Sequence, residues 1–198
     1  VSSFTNLTMS DLKEAWMALE SHWRITPKDA RITGDPSYGF LLWTLAPFFR
    51  MILRVKIRGI GNVPKSGPTI LAANHLSHVD PLVVILASRR RTHYLAKDGH
   101  FRNVALRTFM RATGQIETNR ETGGADALSS AAVVLHANRA LGIFPEGTRS
   151  KKTEPPFLLP GKTGIARLAA SYPDVPVVPI GLTGSREFMT PNKHKLPR

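Results

Sequence analysis

The sequence contains no cysteine. That excludes a disulfide scaffold, thiolate chemistry and Cys-ligated zinc, and it is compatible with a reducing compartment. It also lacks any run of about 18 uninterrupted apolar residues, so a simple membrane-spanning helix is not expected. Acidic residues are scarce: 14 Asp and Glu stand against 27 Lys and Arg, a formal net charge of +13. Such an excess asks for an anionic partner, whether nucleic acid, anionic lipid headgroups or a phosphorylated substrate. There is no internal repeat and no low-complexity tract. The chain opens at Val1 without a basic-then-apolar signal pattern, and the expectation is a fragment or a processed form. What is present is globular in character. With 198 residues, 42% hydrophobic and 21% charged, the chain is long enough to bury the core of one ordinary domain.

Periodicity divides that domain into short elements. Ser10 to Trp23 reads as an amphipathic helix capped by Ser10, with Leu12, Ala15, Trp16, Leu19 and Trp23 on one side. Thr26 to Ser37, with Pro27, Gly34 and Pro36, reads as loop. Tyr38 to Val55 is the most hydrophobic stretch; Pro47 is expected to kink it, and Arg50 and Arg54 interrupt it. Two readings of this stretch stay open: a buried core helix, or an interfacial helix with its aromatics in the acyl region and its arginines at the headgroups. Val55 to Ile60 alternates like a half-exposed strand. From there the pattern predicts strands near 69–73, 92–96, 115–118, 141–144 and 175–182, with helices at 80–86, 101–113, 125–138 and 163–171 between them. Strands alternating with helices predict an α/β fold with a mainly parallel sheet flanked by helices. The expected division is an N-terminal helical membrane-association segment over 1–54 and an α/β domain over 55–198.

Chemistry concentrates at Asn74-His75-Leu76-Ser77-His78-Val79-Asp80. The apolar run Thr69 to Ala73 reads as a buried strand, and Asp80-Pro81 as a helix start with an N-cap carboxylate. His75 then leaves the C-terminal end of a strand, where α/β folds collect ligands. Only four residues separate it from Asp80, close enough for the carboxylate to hold one imidazole nitrogen while the other takes a proton from a hydroxyl. The plainer reading makes Asp80 a cap and His75 a strand-end histidine satisfied by backbone. A metal site of His75, His78 and Asp80 has poor spacing, and no second histidine cluster supports it. Ser77 lacks the Gly-x-Ser-x-Gly surroundings of a serine nucleophile.

The basic charge is clustered. From Arg89 to Arg120 eight basic residues, Arg89-Arg90-Arg91 among them, stand against Asp98 and Glu117. Lys97 and Arg120 each sit at the end of a predicted strand, as His75 does. Gly161-Lys162-Thr163 resembles the end of a P-loop, but Pro156 stands where the first glycine belongs. A basic nucleic-acid-binding module is the rival from another class; it leaves His75, Asp80 and the run Glu146 to Arg149 unexplained, and no aromatic stacking motif accompanies the charge.

Four ordered segments resemble the glycerolipid acyltransferase family, best known for the 1-acylglycerol-3-phosphate acyltransferases. They are Asn74-His75-x-Ser77-x-x-Asp80, Gly114-x-Ile116-x-x-x-Arg120, Phe144-Pro145-Glu146-Gly147-Thr148-Arg149-Ser150 and Val177-Val178-Pro179-Ile180. The resemblance covers roughly Val55 to Leu182 and implies that the α/β domain lacks its C-terminal end. It implies a membrane-associated enzyme at the cytoplasmic face, meeting anionic lipids and not nucleic acid. The donor would be acyl-CoA or acyl-carrier-protein, with no bound cofactor and no metal. The acceptor would be a lysophospholipid, lysophosphatidic acid first, with another lipid or glycolipid hydroxyl as the alternative. His75 would be the general base and Asp80 its orienting carboxylate. Lys97, Arg120, Gly147, Thr148 and Arg149 would cradle the acceptor phosphate, and Glu146 would orient the acceptor or the loop.

Overall fold

The computed structural model describes residues 8–29, 32, 35–97, 104–118 and 124–187. Five strands form one sheet: β1 (Thr69–Ala73), β2 (Thr92–Lys97), β3 (Ile116–Thr118), β4 (Ala140–Ile143) and β5 (Val177–Ile180), in the order β3-β2-β4-β1-β5. Every pairing is parallel. Six helices accompany them among the described residues: α1 (Met9–His22), α2 (Asp35–Ile52), α3 (Asp80–Ser88), α4 (Val104–Ala112), α5 (Gly124–His136) and α6 (Gly164–Ser171). The predicted α/β fold with a parallel sheet is the observed one.

Topology follows from crossover handedness. The connections through α3 and α4 step toward the β3 edge, whereas those through α5 and α6 step back toward β5. Right-handed crossovers that run in opposite directions put their helices on opposite faces of the sheet. Contacts agree: α2 packs on α3 and α4, and α1 and α5 pack on α6. Both faces of β1 are therefore buried, and its continuous apolar sequence is what such a strand requires. Ile70 joins Leu128, Val134, Leu141 and Leu168 on one side; its neighbour Leu71 joins Val84 and Tyr94 on the other. The central strands β1 and β4 send their outgoing chain to opposite edges. A crevice at such a switch point, beyond the strand C-termini, is the ligand position of open α/β sheets.

Several expectations are corrected. Val55 to Ile60 is not a strand: residues 55–59 are irregular and lead into a 3₁₀ turn at Ile60–Asn62. Its side chains do alternate in exposure, but Gly59 turns left-handed at φ 70°, and the stretch pairs with no strand of the sheet. The cap of α1 is Thr8, not Ser10; the Thr8 hydroxyl accepts from Asp11 N, and Asp11 accepts from Thr8 N in return. No residue of α1 is buried, so its apolar stripe lies at the surface. The loop expected over 26–37 ends early, because α2 begins at Asp35 and continues through Pro47.

The two readings of α2 divide along its faces. Tyr38 and Ala46 are buried, whereas Phe40, Trp43, Phe48 and Met51 are exposed, Trp43 by 78%. Tyr38 anchors the helix: its hydroxyl donates to Thr92 O and accepts from Thr92 N. Arg50 is held against the protein rather than extended into solvent. Its Nε and Nη2 both donate to Leu86 O, at 3.0 and 2.7 Å, and so satisfy the last turn of α3. Among the described residues no helix is long and apolar enough to cross a membrane.

Candidate active site

His75 sits just beyond β1, at the switch point, and four separate groups fix it. Its Nδ1 lies 3.0 Å from Asp80 Oδ2. Its ring stacks on Phe144 with centroids 3.9 Å apart and planes 13° from parallel. Its backbone N–H donates to Glu146 Oε2 at 2.7 Å, and its carbonyl accepts from Ser150 N at 3.0 Å. Three of these supports come from the chain leaving β4, so the Phe144 to Ser150 segment grips His75 directly. Tyr94 of β2 also stacks on Phe144, with centroids 5.3 Å apart. Gly142 makes room for that ring; a Cβ at 142 would collide with Tyr94.

Asp80 does not serve as a helix cap. It is the first residue of α3, the cap position is Val79, and its carboxylate folds back over the preceding turn. Oδ2 accepts from Leu76 N and Ser77 N at 2.6 Å each, as well as facing His75. Burial alone would raise this carboxyl, yet hydrogen bonds from His75, Ser77 and Leu76, with the buried Ser185 hydroxyl in addition, outweigh it and hold the group below its ordinary value. The carboxylate thus stays ionised and fully buried, while the His75 side chain keeps 15% of its surface open. With Nδ1 committed to Asp80, Nε2 is the nitrogen left to face a substrate.

The rest of the first block is structural support. Asn74 Nδ2 donates to Leu182 O and its Oδ1 accepts from Leu182 N, tying the end of β5 to the end of β1. The Ser77 hydroxyl is buried and accepts from Val79 N, which removes it as a nucleophile.

The predicted phosphate residues are brought together in part. Gly147 adopts φ 69°, a left-handed turn that favours glycine. Thr148 beside it is exposed, and Arg149 reaches back to His78 Nδ1. Lys97 ends β2 opposite Thr118, on the same sheet edge. Arg120 lies outside the described residues. Lys162, which is not among the predicted phosphate residues, joins the turn. Its backbone N–H donates to Pro145 O at 2.8 Å, and its Nζ lies 3.2 Å from where a Cβ on Gly147 would stand. Its one mark in the sequence is the run Gly161-Lys162-Thr163, which does not complete a P-loop.

Glu146 is 6% exposed. Burial raises its carboxyl above the ordinary value; the His75 N–H and the His75 side chain pull it back, and the Asp80 charge adds to the rise. A carboxyl raised in the native state weakens folding once it ionises. Glu146→Gln keeps an acceptor for the His75 N–H. Its melting temperature relative to the parent should therefore be higher at pH 7 than at pH 4, where the parent carboxyl is itself protonated. A difference that does not change with pH would remove this account of Glu146.

A family model described as Acyltransferase matches residues 54–183. The chain belongs to the acyltransferase family. Among curated relatives it is 27% identical over 143 residues to a 1-acyl-sn-glycerol-3-phosphate acyltransferase of Bacillus subtilis, covering 72% of this chain and 70% of that one. It is 27% identical over 142 residues to the Borreliella burgdorferi protein of the same name, covering 71% and 55%. With human 1-acyl-sn-glycerol-3-phosphate acyltransferase alpha it shares 30% over 140 residues, 69% and 48% of the two chains. Thus the chain spans about half the length of several curated relatives it matches. The crystal structure of the 1-acyl-sn-glycerophosphate (LPA) acyltransferase PlsC from Thermotoga maritima has the same fold. Its TM-score is 0.66 at 20% identity, over 94% of this chain and 73% of that one.

Proposed function

We propose that this acyltransferase moves a fatty acyl group from an acyl-CoA or acyl-carrier-protein thioester to the free hydroxyl of 1-acylglycerol-3-phosphate. The observation that carries the reading is the His75–Asp80 pair held at the switch point beside Gly147, Arg149 and Lys162. His75 Nε2 takes the acceptor hydroxyl proton as that oxygen attacks the thioester carbonyl carbon. The C–S bond then breaks, and the leaving sulfur recovers the proton from the imidazolium. Asp80 keeps the ring in the required tautomer and stabilises the transient cation, as in triad logic without a serine. The acceptor is itself the nucleophile, so no acyl-enzyme forms. The amide of the exposed Thr148 and the cations Arg149 and Lys162, with Lys97 at the end of β2, meet the acceptor phosphate. The Gly147 N–H does not, because it donates to Phe144 O within the turn. Arg120, outside the described residues, is expected to join them.

Assay of both thioester donors against lysophosphatidic acid, other lysophospholipids, monoacylglycerol and a glycolipid tests this reading. Lysophosphatidic acid should be the preferred acceptor. A glycolipid accepted faster would replace the acceptor assignment while leaving acyl transfer in place.

Membrane association, at the cytoplasmic face, belongs to the same proposal, and the outward aromatic face of α2 supports it. Replacing Trp43 and Phe48 with serine should weaken sedimentation with phospholipid vesicles severalfold at unchanged melting temperature. Unfolding of that variant would return the segment to a core role.

A further inference from the structure

We propose a second anion site, remote from His75, that holds the phosphate headgroup of an anionic membrane phospholipid. It is a cleft of about 800 Å³ between α2 and the leading ends of β1, β2 and β4. Three separate chain entries into the sheet furnish its cationic wall: Lys65 ahead of β1, Arg89 to Arg91 ahead of β2 and Arg139 ahead of β4. Arg50 joins them from α2, and no carboxylate lines the cleft among the described residues. The opposite wall is apolar, made by Leu42, Trp43, Ala46 and Pro47.

Two of the guanidiniums are fixed in advance. Arg50 is held on Leu86 O, and Arg90 donates from Nη1 to Pro64 O and from Nη2 to Gly67 O. Burial, with the charge of Arg89 in addition, pushes Arg50 below its ordinary value, and burial does the same to Arg90. Cations crowded in this way favour an added anion. Arg89 ends α3 at φ 54°, where glycine or asparagine is the usual residue, so a cation occupies a backbone position that disfavours it.

The cleft is not the acceptor site. At about 3.3 Å per residue, the five residues of β1 put roughly 13 Å of strand between its leading end and the end that carries His75. A lipid fits better than free phosphate because the α2 wall of the cleft is apolar. Trp43 belongs both to that lining and to the exposed face of α2, so acyl chains can leave the cleft along the surface proposed to meet the bilayer. The inference rests on the membrane reading for its location, and the following experiment separates the two.

The full chain is titrated with phosphatidylcholine vesicles with and without phosphatidic acid. The double variant Arg89→Gly, Lys65→Ser should bind phosphatidic acid vesicles about tenfold or more weakly. Binding to pure phosphatidylcholine should be unchanged, and so should acylation of a short-chain acceptor in solution. Glycine suits the left-handed position, so the melting temperature should hold or rise. Lys56→Ser, Arg58→Ser, which removes two exposed cations outside the cleft, should lose no more than about twofold. Equal losses from the two pairs would reduce the effect to general surface charge and overturn the site. So would release of vesicles by inorganic phosphate or by a short oligonucleotide at matched phosphate concentration, since the headgroup would then not be what the cleft selects. If the Trp43 and Phe48 variant loses vesicle binding and the cleft variant loses none, the membrane reading stands and the site falls. If the parent binds neither vesicle, both fall.

Discussion

Replacing His75 with alanine is expected to slow acyl transfer by about 10²–10⁴-fold, the usual contribution of a positioned general base. The fold should survive, because two of the four supports of His75 act on its backbone, which alanine retains. Asp80→Asn should lose most of the rate through the wrong tautomer. It should also lower stability, since Oδ2 of Asp80 gathers His75, Leu76 N and Ser77 N on one charge. The sign is set by the direction of the shift. A carboxyl held below its ordinary value stabilises the fold above about pH 3.9, and that stability is lost as pH falls through the native value. The melting-temperature deficit of Asp80→Asn should therefore be largest near neutrality and shrink in acid. Exhaustive chelation should leave the parent rate unchanged; a loss restored by zinc would replace the base mechanism with a metal one. Full activity in His75→Ala would end it outright.

Much of this arrangement was legible in the residues, and the failures share one cause. Thr69 to Ala73 declared itself a strand because a segment buried on both faces must be apolar throughout. The spacing of His75 and Asp80, with four residues between them in a tight turn, allowed their contact. The same spacing fitted a capping carboxylate and a strand-end histidine, and only the fold decides between them. Val55 to Ile60 misled because alternation reports exposure, whereas a strand also needs a paired neighbour, and residues 55–59 pair with none. Asp80 misled because an Asp-Pro pair opens a helix whether the carboxylate bonds its own helix or the turn before it. Arg50 and Lys162 needed the fold itself. The partner of Arg50 is 36 residues away, and Lys162 meets Gly147 only because the chain after β4 doubles back over its own turn. The role of Phe144 as a stacking plate for His75 was likewise invisible, although the block containing it stood out by composition.

Lys162 and Arg149 lead to the second large effect. Lys162 lies over Gly147 and Arg149 follows directly after Thr148, so two cations flank a left-handed turn. If both grip the acceptor phosphate, each charge-assisted contact contributes about 1.5–3 kcal/mol. Arg149→Ala should then cut kcat/KM for lysophosphatidic acid about ten- to a hundredfold, and Lys162→Ala should do the same. The double variant should lose less than the product of the two, because residues that share one phosphate do not act independently. Lysine at position 149 should rescue only part of the loss, since a point charge cannot reproduce a bidentate fork. Monoacylglycerol, which offers the same kind of hydroxyl without the phosphate, should be a poor acceptor that loses little in any of these variants. That contrast separates phosphate recognition from support of the loop. Arg149 also touches His78, and a merely structural role there would slow charged and neutral acceptors alike. Equal losses would take the phosphate away from this turn, and with it the physical ground for preferring lysophosphatidic acid.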